Sequence, residues 1–486
     1  MLLSKLCEAT ACAYEGKDID ITAIEYDSRH VTAGSLFGCV VGTFSDGHAF
    51  AMEAVSCGAV ALIVEKKLDI DVPQVLVENT RIAMAEMAAA FYGHPEKELK
   101  LVGVTGTNGK TTTTYMVKAI AERAGYKTGL IGTIRNLVGD QVIETDRTTP
   151  ESVDVFRLLR EMRNVGVDIA IMEVSSHSLD QHRVHGLLFD VGEFTNLTQD
   201  HLDYHKTFEN YLAAKKKLFL QSKQAVINAD DPHAKEIMEG LTIPITTFGV
   251  RETADIHATD IDITTRGVLF DLGFPGGVTR INIPIPGLFS VFNAMGAVAV
   301  ALALFISMEN IKQGLEDMQS VSGRLEPLQT AGLGFSVFVD YAHTPDALEN
   351  VLKTIRGFAK GKVITVFGCG GDRDRAKRPI MGEVAGRFSD KLVVTSDNPR
   401  SEDPFTILDA IEEGVKKSGC SYTIIEQRHD AIRYAVYYAK PDDVILVAGK
   451  GHENYQEING VKHPFDDREE VLKILKTMPG GKRTNA

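Results

Sequence analysis

The sequence predicts an α/β protein that is built from parallel sheets and divided into three domains. Its 486 residues exceed what one hydrophobic core normally serves. Short apolar runs typical of strands alternate with helical stretches along the chain, and this alternation indicates doubly wound parallel sheets. We place the domains at residues 1–98, 99–323 and 324–486.

The first predicted domain is a small α/β module. Strand-like segments lie at residues 24–29, 34–42 and 60–64, and a helical stretch lies near residues 50–58. The alternation of these segments predicts a layer of strands and helices that ends by about residue 98.

The second predicted domain begins where a strand, a glycine-rich loop and a helix follow in order. The strand is Leu101–Val104 and the helix is Thr113–Ala124. Further strand-like runs lie at residues 128–131, 167–172 and 224–228. Strands that alternate with helices in this way predict a parallel sheet.

The longest apolar run, Ala294–Met308, is rich in alanine and follows Asn293, a candidate helix cap. It falls short of the ~18 residues that a membrane span needs. The run therefore predicts a buried helix.

A turn-rich segment at residues 321–327 predicts a linker to the third domain. The strands of that domain are predicted at residues 335–339, 363–367, 391–395 and 444–447, and each runs into a polar loop. Parallel sheets bind ligands at the carboxyl ends of their strands. The polar loops are therefore expected to converge on one crevice.

Composition excludes several classes of protein. A formal net charge of −14 without a basic stripe argues against a nucleic-acid partner. The N-terminal segment Met1–Glu8 is too polar for a signal peptide. The six cysteines lack C-x-x-C spacing, which favours buried thiols over a zinc site or disulfides. We expect a cytoplasmic protein with no membrane insertion.

The most informative motif is the loop Gly106-Thr-Asn-Gly-Lys-Thr-Thr112. Glycines let backbone N–H groups approach phosphates, Lys110 can span the β- and γ-phosphates, and Thr111 can supply a hydroxyl to Mg²⁺. A standard Walker A loop needs a glycine where this chain has Val104. The motif predicts a nucleoside triphosphate site of the compact form G-x-x-G-K-T, with a chance glycine-rich turn as the alternative.

Acidic and imidazole side chains follow two later strands. Glu173 ends the predicted strand at residues 167–172, where a Walker B acid would face the phosphate loop, and is a candidate Mg²⁺ ligand. The segment Asn196–His205 carries side chains for a second divalent ion, although a polar loop without metal is the alternative. The pattern of Lys215, Lys216 and Lys217 on a helix favours a solvated face.

The turn Asp397-Asn-Pro-Arg400 ends a predicted strand and combines an acid, an amide and a guanidinium. That set suits a ligand with both amino and carboxylate groups. Turn chemistry alone is the alternative, because Asn-Pro pairs mark turns in many proteins.

Together the motifs resemble those of the Mur ligase family over essentially the whole chain, and in particular those of its diaminopimelate-adding members. The motifs that carry the resemblance are Gly106–Thr112, Glu173–His177, Gln181–Arg183, Thr195–His201, Tyr211–Lys215, Val339–Pro345, Asp397–Arg400 and Gly449–Glu453.

The resemblance implies a uridine-nucleotide-binding α/β module, a central P-loop ATPase-like parallel sheet and a C-terminal Rossmann-like domain that binds an amino acid. It implies a monomer that joins meso-diaminopimelate to UDP-N-acetylmuramoyl-L-alanyl-D-glutamate (UDP-MurNAc-L-Ala-D-Glu) in peptidoglycan synthesis. The reaction would use ATP and Mg²⁺ and pass through an acyl phosphate.

The resemblance also implies roles for individual residues. The catalytic residues would be Lys110, Glu173, His201 and Lys215. Thr111 and Glu173 would hold one Mg²⁺, and His201 with a carbamylated Lys215 the second. ATP would meet Gly106, Thr107, Asn108, Gly109, Lys110, Thr111, Thr112, Asn293, Arg324 and Asp340.

Two substrate sites are implied as well. The nucleotide-sugar dipeptide would meet Ser28, Thr43, Phe44, Ser45, Thr148, Thr149, Ser175, Gln181 and Arg183. Diaminopimelate would meet Arg373, Asp397, Asn398, Pro399, Arg400, Gly449 and Glu453. Arg400 would grip the carboxylate that distinguishes diaminopimelate from lysine.

Two other functions are weighed against this one. A folylpolyglutamate synthetase shares a G-T-N-G-K loop, but it leaves the long N-terminal module and Asp397–Arg400 unexplained. A non-catalytic ATP-dependent regulatory module is disfavoured because Lys110, Glu173 and Lys215 are all present.

Overall fold

A computed structural model describes residues 1–478 of the chain except 11, 13–17, 43–44, 146, 252 and 331. It contains two compact units. The first comprises Met1–Gly249, Ala254–Ile256 and Gly296–Gly314, and the second comprises the remainder. The predicted N-terminal domain and most of the predicted central domain lie in the first unit, whereas residues 257–295 and 315–323 of the predicted central domain lie in the second. The predicted boundaries near residues 98 and 323 stay predictions.

The N-terminal part of the first unit is a small parallel sheet flanked by helices. Its strands pair in the order of the chain: β1 (Ala23–Glu25), β2 (Ser35–Gly38), β3 (Ala59–Val64) and β4 (Gln74–Leu76). The helices are α1 (Leu3–Ala9), α2 (Ala51–Ser56) and α3 (Thr80–Phe91). Helix α3 begins after Asn79 because that side chain accepts hydrogen bonds from the first backbone N–H groups.

The central part of the first unit is a larger sheet. Its strands are β5 (Lys100–Thr105), β6 (Thr128–Ile131), β7 (Asn136–Val138), β8 (Gln141–Ile143), β9 (Ile169–Glu173), β10 (Val191–Phe194), β11 (Ala225–Asn228) and β12 (Ile245–Gly249). They lie in the order β12-β11-β10-β5-β9-β6-β7-β8, and all but the β6–β7 and β7–β8 pairs are parallel. The predicted parallel sheet is confirmed.

Helices connect these strands. They are α4 (Lys110–Arg123), α5 (Ser152–Asn164), α6 (Ser176–Asp180), α7 (Leu202–His205), α8 (Phe208–Leu220) and α9 (Ala234–Met238). Helix α4 begins at the loop lysine, three residues before the predicted start at Thr113. Buried side chains of α3 and α5, including Met84, Phe156 and Met162, belong to one hydrophobic core shared by the N-terminal and central parts.

Three antiparallel strands and two helices follow. The strands are β13 (Ile256–Thr264), β14 (Gly267–Phe274) and β15 (Gly277–Ile283), and the helices are α10 (Leu288–Ala303) and α11 (Met308–Glu316). The prediction that Asn293 caps a helix over Ala294–Met308 was wrong. The helix spans Leu288–Ala303 and Asn293 lies inside it, because Ser290 and Val291, which precede Asn293, are already fully buried in the helix.

The C-terminal part of the second unit is a six-stranded sheet. Its strands are β16 (Glu326–Leu328), β17 (Ser336–Asp340), β18 (Val363–Phe367), β19 (Lys391–Val394), β20 (Ser421–Ile424) and β21 (Val444–Ala448). They lie in the order β16-β17-β21-β18-β19-β20, and only β16 is antiparallel to its neighbour. The predicted linker at residues 321–327 thus runs into an edge strand.

Helices cover both faces of this sheet, and a hairpin extends beyond it. The helices are α12 (Pro345–Phe358), α13 (Lys377–Phe388), α14 (Pro404–Ser418), α15 (Arg428–Tyr438) and α16 (Asp467–Thr477). The hairpin consists of β22 (Tyr455–Ile458) and β23 (Val461–Pro464). One hydrophobic core lies under α12, α13 and α14 and another under α15 and α16. Two covered faces explain why the inner strands β18, β19 and β21 are buried at every position.

All six cysteines are free thiols. Cys7, Cys39 and Cys369 are buried as predicted, but Cys12 and Cys420 are partly exposed and Cys57 is exposed. The prediction of six buried thiols was wrong at these positions; Cys57, for example, ends helix α2 at the surface. Within the described residues, no helix combines the length and the apolar character that crossing a membrane requires.

Candidate active site

The phosphate loop turns sharply between strand β5 and helix α4. Gly106 and Gly109 have φ angles of 156° and 89°, which favour glycine. A Cβ atom on Gly106 would lie 1.8 Å from Thr195 Oγ1. Any larger residue at position 106 would therefore displace the loop that follows β10.

The segment after β10 clamps the phosphate loop. Asn196 Oδ1 accepts the Asn108 N–H at 2.9 Å, and Asn196 Nδ2 donates to the Asn108 carbonyl at 3.0 Å. The Asn196 carbonyl accepts the Thr107 N–H at 2.9 Å. These contacts bring two sequence motifs together and fix the backbone that would surround phosphates.

Lys110 begins helix α4 and folds back over the loop. Its Nζ donates to the carbonyls of Gly106 at 2.8 Å and Thr107 at 2.9 Å. The ammonium thus lies over the loop at the positive N-terminus of a 14-residue helix, the arrangement that attracts phosphate oxygens.

Glu173 lies at the end of β9 and faces the phosphate loop, as predicted. Its buried carboxylate accepts the Thr111 hydroxyl at 2.9 Å. The backbone N–H and the hydroxyl of Thr133 also donate to it, at 2.9 and 3.0 Å. A carboxylate and two hydroxyls form a set of hard oxygen donors, which suits Mg²⁺.

Lys215 lies inside helix α8 and is buried, with 1% of its surface exposed. The expectation that the three lysines form a solvated face is therefore wrong for Lys215, because its position in the helix turns it toward the core. Its Nζ lies 4.5 Å from the centre of the Tyr211 ring. Burial, together with the nearby Lys110, holds the pKa of Lys215 well below its usual value.

His201 lies just before helix α7 with a left-handed backbone, φ 53°. Its ring contacts those of Tyr211 and His177, with centres 6.2 and 4.8 Å away. Tyr211 thus lies against both Lys215 and His201, and its hydroxyl is 3.0 Å from Thr107 Oγ1. Among the described residues, no three His, Cys, Asp or Glu side chains are grouped as a metal would require.

The residues expected to reach the dipeptide surround Glu173. Thr148 Oγ1 lies 3.0 Å from Thr133 Oγ1, and Thr149 Oγ1 donates to the Glu173 carbonyl at 2.8 Å. Ser175 caps helix α6 and donates its N–H to Thr149 Oγ1 at 3.1 Å. These hydroxyls form a polar wall next to the phosphate loop.

Arg183 and Gln181 complete that wall. Arg183 donates to the Thr149 carbonyl at 2.9 Å and to Gln181 Oε1 at 2.7 Å, and its Nε lies 3.1 Å from Glu151 Oε1. The structure thus brings together all five residues expected here from the central part.

The residues expected from the N-terminal part are only partly described. Ser28 is buried and donates to Glu53 Oε2 at 3.2 Å, and Ser45 is exposed. Thr43 and Phe44 lie outside the described residues.

Three of the residues expected to meet ATP belong to the second unit. Asn293 is buried in α10. Arg324 stacks its guanidinium 5.2 Å from the centre of the Tyr341 ring. Asp340 accepts the N–H groups of Leu325 and Ala342 at 2.6 and 2.8 Å. Their contact with a nucleotide stays a prediction.

The loops after β18, β19 and β21 converge at one edge of the C-terminal sheet, as predicted. Asn398 Nδ2 donates to Glu453 Oε2 at 2.9 Å. Buried Lys450, which sequence reasoning left out, donates to Asn398 Oδ1 at 3.0 Å and Glu453 Oε2 at 3.1 Å. A Cβ atom on Gly449 would lie 2.7 Å from Asp397 Oδ2.

One carboxylate oxygen of Asp397 is buried and accepts no hydrogen bond from the described residues. Its Oδ1 accepts the Asn398 N–H at 2.8 Å, whereas its buried Oδ2 has no hydrogen-bond partner among the described residues. A buried carboxylate oxygen without a donor is costly, so Asp397 Oδ2 is a candidate acceptor for a ligand N–H.

Two arginines close this edge. Arg400 Nη1 donates to the Gly371 carbonyl at 2.7 Å, while exposed Arg373 donates to the Asp372 carbonyl at 3.1 Å. The Pro399 carbonyl lies so close to Gly371 that a Cβ atom there would be 1.9 Å away. The chain thus folds tightly around the Arg400 side chain.

A fully buried ion pair, Arg428 with Asp467, contacts the backbone at the same edge of the sheet. Arg428 donates to both oxygens of Asp467 at 2.7 Å and to the Ala448 carbonyl at 3.0 Å. It also reaches the Ser396 carbonyl at 3.4 Å. Ala448 and Ser396 directly precede Gly449 and Asp397. The ion pair therefore holds the first residues of the loops that carry Gly449 and Asp397. Its partners are far apart in sequence, and no local motif marks them.

Sequence reasoning also missed Thr133, Asn196 and Tyr211 as site residues. Asn196 and Tyr211 lie within motifs that were recognised, so their motif membership was the available signal. Thr133 lies in no motif, and only the approach of the β6–β7 turn to Glu173 reveals it.

Models of three protein domains match the chain. Residues 20–92 match the catalytic domain of the Mur ligase family, residues 104–301 the Mur ligase middle domain, and residues 323–451 the glutamate ligase domain of Mur ligases.

Full-length relatives are similar across nearly the whole chain. A UDP-N-acetylmuramoyl-L-alanyl-D-glutamate–2,6-diaminopimelate ligase from Bacillus licheniformis is 48% identical, covering 95% of this chain and 96% of its own length. The corresponding ligase 1 from Clostridium acetobutylicum is 49% identical over the same shares of both chains.

Solved structures agree in fold. A ligase of that same name superposes with a TM-score of 0.70 and 32% identity, covering 98% of this chain and 99% of its own. A folylpolyglutamate synthase from Mycobacterium tuberculosis, the enzyme class of the alternative function, superposes on 77% of this chain with 19% identity and a TM-score of 0.60. At that identity the match shows similarity of fold alone. By sequence and by structure, this chain belongs to the Mur ligase family.

Proposed function

We propose that this protein is an ATP-dependent ligase that joins meso-diaminopimelate to UDP-MurNAc-L-Ala-D-Glu. The observation that carries the proposal is that one turn at the sheet edge presents both Asp397 Oδ2, a buried acceptor with no donor among the described residues, and the Arg400 guanidinium. An amino acid with an additional carboxylate fits a turn that offers an acceptor for its ammonium group and a guanidinium for its carboxylate. The names of relatives that are 48–49% identical support it.

The phosphate loop supports ATP as the co-substrate. The γ-carboxylate of D-glutamate attacks the γ-phosphate of ATP, so that an acyl phosphate forms and ADP leaves. Lys110 and the backbone N–H groups of Gly106–Thr112 other than those of Thr107 and Asn108, which donate to Asn196, would hold the phosphates in line for this attack. Mg²⁺, when bound, neutralises phosphate charge, and Thr111 and Glu173 would hold it.

We further propose that Lys215 is carbamylated and, with His201, holds a second Mg²⁺. A neutral amine is the form that adds CO₂, and the lowered pKa of this buried lysine favours that form. Among the described residues no group of three His, Cys, Asp or Glu side chains could hold a metal ion. The carbamate would supply the oxygen donors that such a site needs.

The second half of the reaction belongs to the C-terminal edge. The amine of diaminopimelate attacks the carbonyl of the acyl phosphate, and the tetrahedral intermediate that forms expels inorganic phosphate. Asp397 and Glu453 would accept hydrogen bonds from substrate ammonium groups, and Arg400 would bind the distal carboxylate. Arg373, Asn398, Pro399 and Gly449 would line this site.

The remaining contacts are assigned by the same proposal. Ser28, Thr43, Phe44 and Ser45 would bind the uridine nucleotide, and the polar wall at Thr148, Thr149, Ser175, Gln181 and Arg183 the peptide. Asn293, Arg324 and Asp340 would bind the nucleoside of ATP. The enzyme would act as a monomer in the cytoplasm, without membrane insertion or nucleic acid.

A substrate screen tests the function. The purified protein should release phosphate from ATP only when UDP-MurNAc-L-Ala-D-Glu and meso-diaminopimelate are both present. L-Lysine should support far less turnover, because Arg400 would then lack its carboxylate, at a cost of about 1–3 kcal/mol. Equal turnover with L-lysine contradicts the specificity, and turnover with tetrahydrofolate and glutamate favours the synthetase alternative.

A further inference from the structure

The hairpin β22–β23 is joined to the loop that carries Asp397 and Arg400. The Arg400 N–H donates to the Glu457 carbonyl at 3.0 Å, and the Asn459 N–H donates to the Arg400 carbonyl at 2.7 Å. Arg400 thus forms an isolated parallel bridge with Ile458. The hairpin therefore behaves as an added edge that holds the backbone of Arg400.

Side chains strengthen the same junction. The Glu457 N–H donates to Asn398 Oδ1 at 3.0 Å, and Gln456 Nε2 donates to the Asp397 carbonyl at 2.7 Å. Asp397, Asn398 and Arg400 are therefore each hydrogen-bonded to the hairpin.

The Arg400 guanidinium itself is held at two of its nitrogens. Nε donates to Glu457 Oε2 at 3.1 Å, and Nη1 donates to the Gly371 carbonyl at 2.7 Å. Nη2 forms no hydrogen bond with any part of the chain that the structure describes. The Arg400 and Glu457 side chains are both mostly buried, with 18% and 24% exposed. A guanidinium has five N–H donors, so those on Nη2 remain for a ligand.

We infer that Glu457 is a positioning residue, which fixes the Arg400 guanidinium so that Nη2 faces the second carboxylate of diaminopimelate. The inference rests on the proposed function. A free arginine side chain carries about 2 kcal/mol of rotamer entropy, and prior fixation removes that cost from substrate binding. The backbone of Arg400 is left-handed, with φ 52°, so its direction also depends on the hairpin contacts.

Steady-state kinetics of Glu457→Ala, Glu457→Gln and Arg400→Ala test this inference. Glu457→Ala should raise KM for meso-diaminopimelate about tenfold, with kcat and KM for ATP within about twofold of the parent. Glu457→Gln keeps an acceptor for Nε and should raise KM only about threefold. Glu469→Gln, an exposed carboxylate on α16, is the matched control and should leave KM unchanged.

The double variant separates positioning from general charge effects. In the Arg400→Ala background, Glu457→Ala should add less than about a twofold change in KM, because the group that it positions is gone. A full additional tenfold effect, an unchanged KM in the single variant or a lowered KM would each overturn the inference.

The same kinetics distinguish this inference from the function on which it rests. A raised KM in Arg400→Ala beside an unchanged KM in Glu457→Ala overturns only the role of Glu457. An unchanged KM in Arg400→Ala, or a parent enzyme that does not use meso-diaminopimelate, overturns the proposed amino-acid site as well.

Discussion

The hydroxyl of Thr111 donates a 2.9 Å hydrogen bond to Glu173 Oε2, although 62 positions separate the two residues. Thr111 lies in the first turn of α4, and Glu173 ends the neighbouring strand β9. The parallel pairing of β5 with β9 brings them together, because both strands end at the same edge of the sheet. This pair joins the phosphate loop to the carboxylate that is proposed as a Mg²⁺ ligand.

Replacement of Glu173 by glutamine should remove most activity while the fold survives. Glutamine has the same shape but carries no charge, so Mg²⁺ would lose its anionic ligand beside the phosphates. We expect kcat to fall about 10²- to 10³-fold, measured as phosphate release over a range of Mg²⁺ concentrations. Glu161→Gln, a half-exposed carboxylate on α5, is the control. An unchanged Mg²⁺ dependence in Glu173→Gln contradicts the assignment.

Lys215→Ala should abolish ligase activity, and small carboxylates such as acetate or formate should restore part of it by replacing the carbamate oxygens. Lys216→Ala changes the adjacent residue, whose ammonium donates to the Glu236 carbonyl, and should retain activity. ¹³C NMR of the parent protein with labelled bicarbonate should show a carbamate signal that Lys215→Ala lacks. A signal common to both proteins would count against carbamylation at this lysine.

The buried pair of Arg428 and Asp467 predicts a large loss of stability when one partner is removed. Asp467→Asn leaves a fully buried guanidinium without its counter-charge, at a cost of about 3–5 kcal/mol. Thermal unfolding should show a clearly lowered Tm. The double replacement Arg428→Met with Asp467→Leu should recover part of the loss. Equal Tm values for the parent and Asp467→Asn contradict the predicted cost.

Glu193 predicts that stability depends on pH. Its carboxyl is fully buried in β10, and among the described residues neither oxygen has a hydrogen-bond partner. Burial raises its pKa well above the usual 4.5. The folded protein then holds a proton that the unfolded chain releases above pH 4.5. Its contribution to stability is complete below that pH and is lost as pH rises toward the folded pKa.

The replacement Glu193→Met removes this titration. From pH 4 to pH 8, the unfolding free energy of the variant should increase relative to that of the parent by about 1–3 kcal/mol, because only the parent loses stability as Glu193 deprotonates. Denaturant unfolding at the two pH values measures it. Glu236→Gln, which changes an exposed carboxylate, should show no such growth. A difference that is the same at both pH values would mean that Glu193 does not titrate between them.

Much of the site could be predicted because its chemistry is local in sequence. The glycines, lysine and threonines of Gly106–Thr112 form one turn and one helix start, so their spacing alone indicates phosphate binding. Asp397–Arg400 is likewise one turn at a strand end. The alternation of apolar runs predicted the parallel sheets, because strands covered on both faces are continuously apolar.

The sequence pattern gave wrong predictions where the burial of a residue depends on neighbours that are distant in the chain. Lys215 belongs to a lysine run that suggests a solvated face, yet the packing of α8 buries it beside Tyr211. Asn293 resembles a cap, yet apolar residues before it continue the helix. Local preference is weak beside the free energy of burying a helix face, so tertiary contacts decided both.

The sequence by itself determined the order of strands and helices, the phosphate loop and the residue types of the amino-acid turn. Only the tertiary structure decided which of these meet: Glu173 with Thr111 and Thr133, and Arg400 with Glu457 and Gly371. The reason is physical. Hydrogen bonds within a turn or helix depend on neighbours in the chain, whereas these contacts depend on which strands pair and where their ends lie.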